Sequence, residues 1–258
     1  MKKLDNQIFQ DRRKSFLSKL DGKAAIIPGA KLVQHHADCE YPFRQESNFW
    51  YLTGFDEPDA IALFLSHKPK GERYILFVHP KDIESEVWNG FRWGTNGAEK
   101  VFKADKSHPI SDFEKELPNY LMGADEIVFS VGKYPEIEPI VLNLWAKQID
   151  NYSRIGRAPR AIQPPGIYLN QMRLIKSQYE IERMREAALI SAEAHELVRL
   201  NVGGKNNERQ IQGLLEGFFF ERGTRGPAYN TIAASGDNAC VLHYTANNSE
   251  LKKGDLLL

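Results

Sequence analysis

Residues 60–78 read AIALFLSHKPKGERYILFV and hold two apolar runs, Ala60–Leu65 and Tyr74–Val78. Runs of this length, rich in aromatic and aliphatic residues and bounded by turn-forming residues, predict buried β-strands. Pro69 and Gly71 lie in the short polar segment between the runs and favour a hairpin or another tight connection. These residues therefore predict two strands of one sheet.

Candidate strands and helices alternate through the first 165 residues. Further apolar runs cover Ala24–Ile27 and Glu126–Val131, and helical spacing of apolar residues covers Asp5–Leu20 and Ile137–Ile149. Strands interleaved with helices predict the α/β fold class, with a mixed sheet in an N-terminal domain that spans residues 1–165.

The first predicted helix is amphipathic. Phe9, Phe16 and Leu20 recur on one face, which we expect to pack against the sheet. We expect the basic residues of this helix to be solvated charges; they are Arg12, Arg13, Lys14 and Lys19.

The stretch Ser153–Gly166 breaks the pattern, because it holds three prolines and no periodic apolar residues. Such a composition is typical of an interdomain linker, so we place the domain boundary near Gly166.

The second domain, residues 166–258, is predicted to begin with helices. Ser177 followed by Glu180 has the spacing of a capping box, and His195 lies on the apolar face of the helix that follows. A second helix is predicted over 207–221, then short strands over 230–234, 241–244 and 256–258. Two helices and a few strands bury little apolar surface, so we expect this domain to be cut short within a strand.

The composition excludes several classes of protein. The 34 basic and 34 acidic residues cancel, and a pI near 7.1 does not favour binding to nucleic acid. The sequence shows neither a secretory leader nor an apolar run long enough for a membrane helix, and two cysteines do not form a disulfide framework. These features favour a cytoplasmic protein. Signatures of phosphate loops, dinucleotide sites, zincin helices and serine-hydrolase elbows are absent from the sequence.

Three segments carry residues that could do chemistry. The stretch His35–Glu40 resembles a metal cluster, but neighbouring side chains diverge, and a polar loop is the better interpretation. We expect His195 to be packed and hydrogen-bonded. The segment Glu84–Gly94 holds Trp88 and Trp93, and it either packs on its own sheet or offers an aromatic wall to a ligand or partner subunit.

The segment Ser235–Tyr244 is the most informative of these regions. Ser235, Asp237 and His243 could form a hydrolase triad, but no strand-turn-helix elbow surrounds the serine. Cys240 beside His243 could be a thiol nucleophile, although a buried, inert thiol is the commoner case.

Several blocks of the sequence resemble the Xaa-Pro aminopeptidase (aminopeptidase P) family. YPFRQESNFWYLTGFDEPDA at 41–60 and EVWNGFRWG at 86–94 resemble its N-terminal domain. MRLIKS at 172–177, PAYNTI at 227–232 and VLHYT at 241–245 resemble its catalytic domain. The resemblance covers nearly the whole chain, in the order of the family's domains.

The resemblance implies a fold and an activity. It implies an N-terminal α/β assembly domain followed by the truncated start of an α+β pita-bread domain, and release of the N-terminal residue from peptides with proline second. His243 matches a histidine that contacts the substrate or the tetrahedral intermediate. Trp88 matches a tryptophan presented to a neighbouring subunit, and Asp38 matches an acidic residue near that contact. A homo-oligomer, a dimer or tetramer, is implied.

The resemblance also implies two divalent metals, usually manganese, in the full-length enzyme. By the family pattern the first metal ligand falls about two residues beyond Leu258, so we expect no metal ligand and no bound metal in this chain. The chain is therefore expected to be an N-terminal fragment, inactive alone. Two alternatives remain open: a non-catalytic pita-bread module that binds peptides or proteins, and a prolidase-like dipeptidase.

Overall fold

The structure, a computed structural model, describes residues 6–258 apart from the side chain of Ile155. The chain forms two compact units, the first ending at Ile175 and the second covering Lys176–Leu258. Asp5, the first residue of the first predicted helix, lies outside the described residues.

The strands of the first unit are β1 (Ala24–Pro28), β2 (Gln34–His36), β3 (Cys39–Glu40), β4 (Ile61–Leu65), β5 (Tyr74–Val78), β6 (Lys106–Pro109), β7 (Ile127–Val128) and β8 (Ile162–Gln163). Six of them form one sheet with the strand order β6-β5-β4-β1-β7-β8, and β2 and β3 form a separate two-stranded hairpin.

The helices of the first unit lie between these strands in sequence. They are α1 (Asn6–Leu20), α2 (Ser47–Thr53), α3 (Ile83–Asn89), α4 (Gly94–Lys100), α5 (Phe113–Leu121), α6 (Glu138–Asp150), α7 (Tyr152–Ile155) and α8 (Gly166–Leu174). A 3₁₀ turn, Ile110–Asp112, precedes α5.

The predicted pair of strands at residues 60–78 is confirmed. Strands β4 and β5 pair antiparallel, with Ile61 opposite Phe77 and Phe64 opposite Tyr74. Strand β1 pairs antiparallel with β4 but parallel with β7, which makes the sheet mixed as predicted. The predicted strand at Glu126–Val131 is shorter than expected, since only Ile127 and Val128 pair.

Alternate residues of the central strands enter two separate cores. Ala25 and Ile27 of β1 pack with α1 and α2, whereas Ala24 and Ile26 pack on the other face with α5 and α6. Because side chains alternate along a strand, a fully apolar strand needs such cover on both faces. The first unit therefore has three layers, helix, sheet and helix.

The expectation that Arg12 and Arg13 are solvated is wrong. Both side chains are buried, and Arg13 donates from Nη1 to the carbonyl of Leu52 at 3.0 Å and from Nη2 to that of Phe102 at 3.3 Å. Its guanidinium lies 4.3 Å from the ring centroid of Tyr74. Burial lowers the pKa of Arg13, although the neighbouring Tyr74 and Asp105 raise it. A planar guanidinium can meet two carbonyls and an aromatic face at once, which explains its place in the core.

The stretch interpreted as a linker contributes structure to the first unit. Ile162–Gln163 pairs with β7 as the edge strand of the sheet, and Leu169 of the following helix is buried in the core. The interpretation of this stretch as an interdomain linker is therefore wrong. Ile162 pairs with Ile127, and the local composition does not record a partner so distant in sequence. The boundary between residues 165 and 166 stays a prediction about the family's domains.

The second unit is built on two helices, α9 (Gln178–Asn201) and α10 (Glu208–Glu221). The predicted capping box is present, since Ser177 Oγ accepts from the amide of Glu180 and Glu180 Oε2 accepts from that of Ser177 at 2.9 Å. Short 3₁₀ turns cover Val202–Gly204 and Gly236–Cys240.

The predicted strands of the second unit are only partly confirmed. Ala234 and Leu258 exchange two backbone hydrogen bonds of 2.8 and 3.0 Å, and Ser235 and Leu257 form an isolated antiparallel bridge. The prediction of a strand over 241–244 is wrong, because Tyr244 N–H donates to the carbonyl of Val241 at 3.2 Å and closes a turn.

No helix within residues 6–258 combines the length and the apolar character needed to cross a membrane.

We predict that Arg13→Lys destabilises the first unit by about 1–3 kcal/mol, because one ammonium cannot serve both buried carbonyls. Tryptophan fluorescence during urea unfolding measures this directly, since all four tryptophans lie in the first unit. Lys14→Arg on the exposed side of the same helix is the control, with a change below about 0.5 kcal/mol. Equal unfolding midpoints for Arg13→Lys and the control would refute the prediction.

Candidate functional site

Helix α10 carries two different stripes of side chains. Ile211 and Leu215 are buried in the core of the second unit with Ala194 and Ala233. The polar residues Glu208, Gln212 and Glu216 recur every fourth residue and so lie on one face of the helix. This polar stripe, as we call these three residues, faces the segment 231–249.

Glu208 is fully buried at the first turn of α10 and accepts five hydrogen bonds. Its Oε1 accepts from the amide and hydroxyl of Ser235, both at 2.8 Å, and from Asn238 Nδ2 at 3.1 Å. Its Oε2 accepts from the hydroxyl of Tyr244 at 2.7 Å and the amide of Ser249 at 2.9 Å. One carboxylate thus joins four residues that lie on both sides of His243.

The surroundings of Glu208 favour its charged form. Burial by itself raises the pKa of Glu208, but the hydrogen bonds from Tyr244, Ser249, Ser235 and Asn238 outweigh burial and lower the pKa to about 2. A carboxylate at a helix N-terminus also interacts favourably with the helix dipole. Glu208 is therefore a buried anion near neutral pH.

A second polar contact set lies one turn further along α10. Asn247 is buried, accepts from the amide of Ala233 at 2.9 Å, and donates to the carbonyl of Thr231 at 2.7 Å and to Gln212 Oε1 at 3.1 Å. Its φ of +46° lies in the left-handed region, which asparagine tolerates better than most residues. Thr231 also donates to Glu216 at 2.8 Å. The polar stripe thus holds the chain before and after residues 239–243.

His243 lies on an exposed turn between these anchors. The 3₁₀ turn Gly236–Cys240 leads into it, and Val241 N–H donates to the carbonyl of Asn238 at 3.0 Å. Val241 and Leu242 are also exposed, Leu242 to 83%. The arrangement presents an imidazole and two apolar side chains on a backbone that is anchored at both ends.

The triad and thiol hypotheses for this segment are not supported by its contacts. The hydroxyl of Ser235 donates to Glu208, so this buried serine is a structural donor. Cys240 is exposed, which corrects the expectation of a buried thiol, because the 3₁₀ turn directs the residue away from the core.

His195 is hydrogen-bonded but not packed. Its Nδ1 lies 2.7 Å from the carbonyl of Ser191 one turn earlier, while the ring is exposed. The expectation of a packed histidine is wrong, since α9 buries Ala194 rather than the predicted face.

Trp88 and Trp93 have different environments. Trp93 packs edge-to-face on Phe102 with centroids 5.5 Å apart, and its amide donates to Glu57 Oε1 at 2.7 Å. Burial raises the pKa of Glu57 more than this hydrogen bond lowers it. Trp88 on α3 is 87% exposed, and Val87 beside it is 80% exposed.

Asp38 lies in the turn of the β2–β3 hairpin. The hairpin is exposed, and Ala37 at its turn has a φ of +45°. His36 and Cys39 face each other across the two strands. The segment His35–Glu40 is polar and exposed, but the prediction of a loop is wrong, because most of its residues belong to the paired strands β2 and β3.

The described residues do not fit a metal pair. Within residues 6–258, no group of three or more His, Cys, Asp or Glu side chains is arranged to hold a metal ion. Two-metal sites need several converging ligands. In the second unit the acidic residues near the candidate site are either engaged, as Glu208 is, or spread over the surface, as Asp237 and Asp255 are.

The sequence did not draw attention to Glu208, Gln212 or Asn247. The available signal was the four-residue spacing of polar residues within an otherwise amphipathic helix, which reads as an ordinary solvated face. That face is covered only because the segment 231–249 packs against it in the folded chain.

Comparison with protein-family models gives two matches. A model described as "Aminopeptidase P, N-terminal domain" matches residues 9–129, and one described as "Metallopeptidase family M24" matches residues 182–258.

Individual relatives match over the whole chain. An Xaa-Pro aminopeptidase of Escherichia coli is 34% identical over 100% of this chain and 59% of its own length, and one of Haemophilus influenzae is 34% identical over 100% and 57%. The solved structure of Pseudomonas aeruginosa aminopeptidase PepP has a TM-score of 0.92 at 33% identity, covering 100% of this chain and 58% of that one. Zn-substituted E. coli aminopeptidase P in complex with product has a TM-score of 0.91 at 34% identity. The chain thus spans under two thirds of these relatives' length.

We predict that the second unit loses stability as the pH falls from about 5 towards 2. The folded pKa of Glu208, about 2, lies below its ordinary value of 4.5, so its stabilisation is present above 4.5 and disappears as the carboxylate is protonated. Between these two pKa values the free energy of unfolding falls by about 3 kcal/mol. Urea unfolding followed by methyl NMR signals of Ala233 and Leu215 measures it.

In that experiment Glu208→Gln is the comparison variant. It should unfold at lower urea near neutral pH and show a smaller loss between pH 5 and 3. A wild-type and variant pair with parallel pH profiles would contradict the assignment to Glu208.

Proposed function

Because this chain belongs to the aminopeptidase P family, we propose that the whole protein is an Xaa-Pro aminopeptidase, a metal-dependent hydrolase that releases the N-terminal residue from peptides with proline second. The observation that carries the proposal is the 34% identity to Xaa-Pro aminopeptidases across 100% of the chain. The aminopeptidase P and M24 models also match in succession, with the first part of the pita-bread catalytic domain following the α/β domain. The proposed domain ranges are 1–165 and 166–258.

His243 is the proposed catalytic and substrate-contacting residue of this chain. Its exposure on an anchored turn supports that role, because an imidazole held in place can donate to a carbonyl oxygen or to the oxyanion that develops from it. A donor fixed before substrate arrives stabilises developing charge without reorganisation.

Trp88 is proposed to contact the substrate at a neighbouring subunit's site in a homo-oligomer, a dimer or tetramer. Its 87% exposure on a helix whose Val87 and Ile83 are also exposed supports a contact of this kind. Asp38 is proposed to lie near the same subunit contact, from an exposed hairpin turn.

Divalent metals are proposed for the whole protein, with manganese as the native ion. M24 enzymes are metallopeptidases, whereas the described residues of this chain offer no ligand group. We therefore propose that the 258-residue chain alone neither holds the metal pair nor hydrolyses peptides, and that the ligands belong to the part of the relatives' length beyond this match. A cytoplasmic location is proposed.

We predict that the whole protein releases the first residue of Ala-Pro-Ala, that EDTA abolishes the release and that Mn²⁺ restores it. The 258-residue chain should show no turnover under the same conditions. Binding of the peptide without hydrolysis, with or without metal, would instead favour the non-catalytic binding module. Turnover of the dipeptide Ala-Pro in preference to the tripeptide would favour the prolidase-like alternative.

His243→Ala should lower kcat/KM for Ala-Pro-Ala about 100-fold, the usual effect of removing one donor to a transition-state oxygen. The unfolding midpoint should stay within experimental error, since the side chain is exposed. His195→Ala is the matched control, an exposed histidine of the same unit whose loss should leave kcat/KM unchanged. Similar kinetics for the two variants would remove His243 from the site.

Trp88→Ala should lower kcat/KM of the oligomer while leaving the unfolding of the first unit unchanged, because the indole is almost fully exposed. Trp93→Ala, which removes a packed indole, should show the opposite pattern, lower stability with a smaller effect on kcat/KM. Unaltered kinetics of the Trp88 variant would exclude a substrate contact.

A further inference from the structure

We infer that Glu208 is the positioning residue for His243: it fixes the turn that presents the imidazole by binding both ends of that turn. The effect on the local geometry is independent of any activity, whereas the effect on catalysis rests on the proposed function. Nothing in the primary sequence pairs these residues, which lie 35 positions apart.

The hydrogen bonds of Glu208 reach both sides of the turn. Asn238 donates to Glu208 Oε1 at 3.1 Å from one side of the turn, and Tyr244, the residue next to His243, donates to Oε2 at 2.7 Å from the other. The Asn238 amide also donates to Tyr244 Oη at 3.2 Å, which closes the ring of contacts. The ends of the turn are therefore held together by one carboxylate.

The turn at residues 241–243 has few other supports. Val241, Leu242 and His243 are exposed, and among the described contacts their side chains make no hydrogen bond or ion pair. The orientation of His243 thus depends on its backbone, and that backbone depends on the residues bound to Glu208.

The contacts of Glu208 require a charged carboxylate. Each carboxylate oxygen accepts one backbone N–H, that of Ser235 on Oε1 at 2.8 Å and that of Ser249 on Oε2 at 2.9 Å. A glutamine in either amide orientation would direct its own N–H₂ towards one of these backbone donors. The hydrogen bonds on one side of the side chain must then break. A neutral side chain of the same shape therefore cannot replace the carboxylate.

The expected consequence for catalysis is large although Glu208 is buried behind the turn. A displacement of about 1 Å in a group that acts on the substrate can cost about 100-fold in rate. Loss of the hydrogen bonds to Glu208 should therefore lower kcat more than it raises KM.

The first experiment uses the 258-residue chain with ¹³C-labelled histidine. In Glu208→Gln the ring signals of His243 should shift and narrow, as the ring becomes mobile, while those of His67 and His108 in the first unit stay in place. Leu215→Ala is the control, because it loosens the same helix through its apolar face and should leave the His243 signals unchanged. Unchanged His243 signals in Glu208→Gln would overturn the inference.

The second experiment is a double-mutant cycle in the whole protein, assayed with Ala-Pro-Ala well below the unfolding temperature of each variant. Glu208→Gln should lower kcat 10- to 100-fold with KM within threefold. In the His243→Ala background, Glu208→Gln should lower kcat by less than a further threefold, because Glu208 acts on the reaction through His243. If Glu208→Gln lowers kcat as much in the His243→Ala background as in the wild type, the inference is overturned.

Two further outcomes are distinguishable. If the wild-type protein does not hydrolyse Xaa-Pro peptides, the proposed function fails, and the NMR comparison still decides whether Glu208 positions His243. If Glu208→Gln does not fold, Tyr244→Phe replaces it, because that variant keeps the carboxylate and removes only the hydrogen bonds of the Tyr244 hydroxyl, those to Glu208 and from Asn238 among them. A smaller shift of the same ring signals is then expected, and its absence would count against the inference.

Discussion

A charge that leaves water must be met by groups of opposite polarity, and each unit of this protein buries at least one such charge. In the second unit the buried carboxylate of Glu208 accepts five hydrogen bonds from residues spread over 235–249. In the first unit the buried guanidinium of Arg13 donates to backbone carbonyls of two different elements. An uncompensated charge at either place would cost far more than the net gain from an ordinary hydrogen bond, so each fixes its surroundings strongly.

The two cases differ in what they hold. Arg13 joins α1 to the end of α2 and to the loop before β6, within a unit whose apolar strands are already covered on both faces. The second unit has a much smaller apolar core, centred on Ala194, Ile211, Leu215 and Ala233. There the polar stripe of α10 determines the path of the chain more than apolar burial does. The proposed substrate-contacting turn is thus supported by hydrogen bonds rather than by packing.

The exposed features of the two units fit the family assignment in a consistent way. Trp88 and Asp38 project from the first unit, and His243 projects from the second. All three are proposed contacts to a substrate or a neighbouring subunit, and exposure in an isolated chain is what such roles require. Within residues 6–258, no group of three or more His, Cys, Asp or Glu side chains is arranged to hold a metal ion.

The sequence by itself determined the secondary structure wherever one local pattern was strong: the hairpin of β4 and β5, the helices α1, α6, α9 and α10, and the capping box at Ser177. It also determined the family, because the blocks around residues 41–60 and 241–245 carry specific side chains. Only the tertiary structure decided which polar residues are interior. Arg13 and Glu208 look like solvated charges in the sequence, and Ile162–Gln163 looks like part of a linker. Their partners are distant carbonyls, amides and strands, and no local periodicity records a contact made across 27 to 41 residues of chain or more.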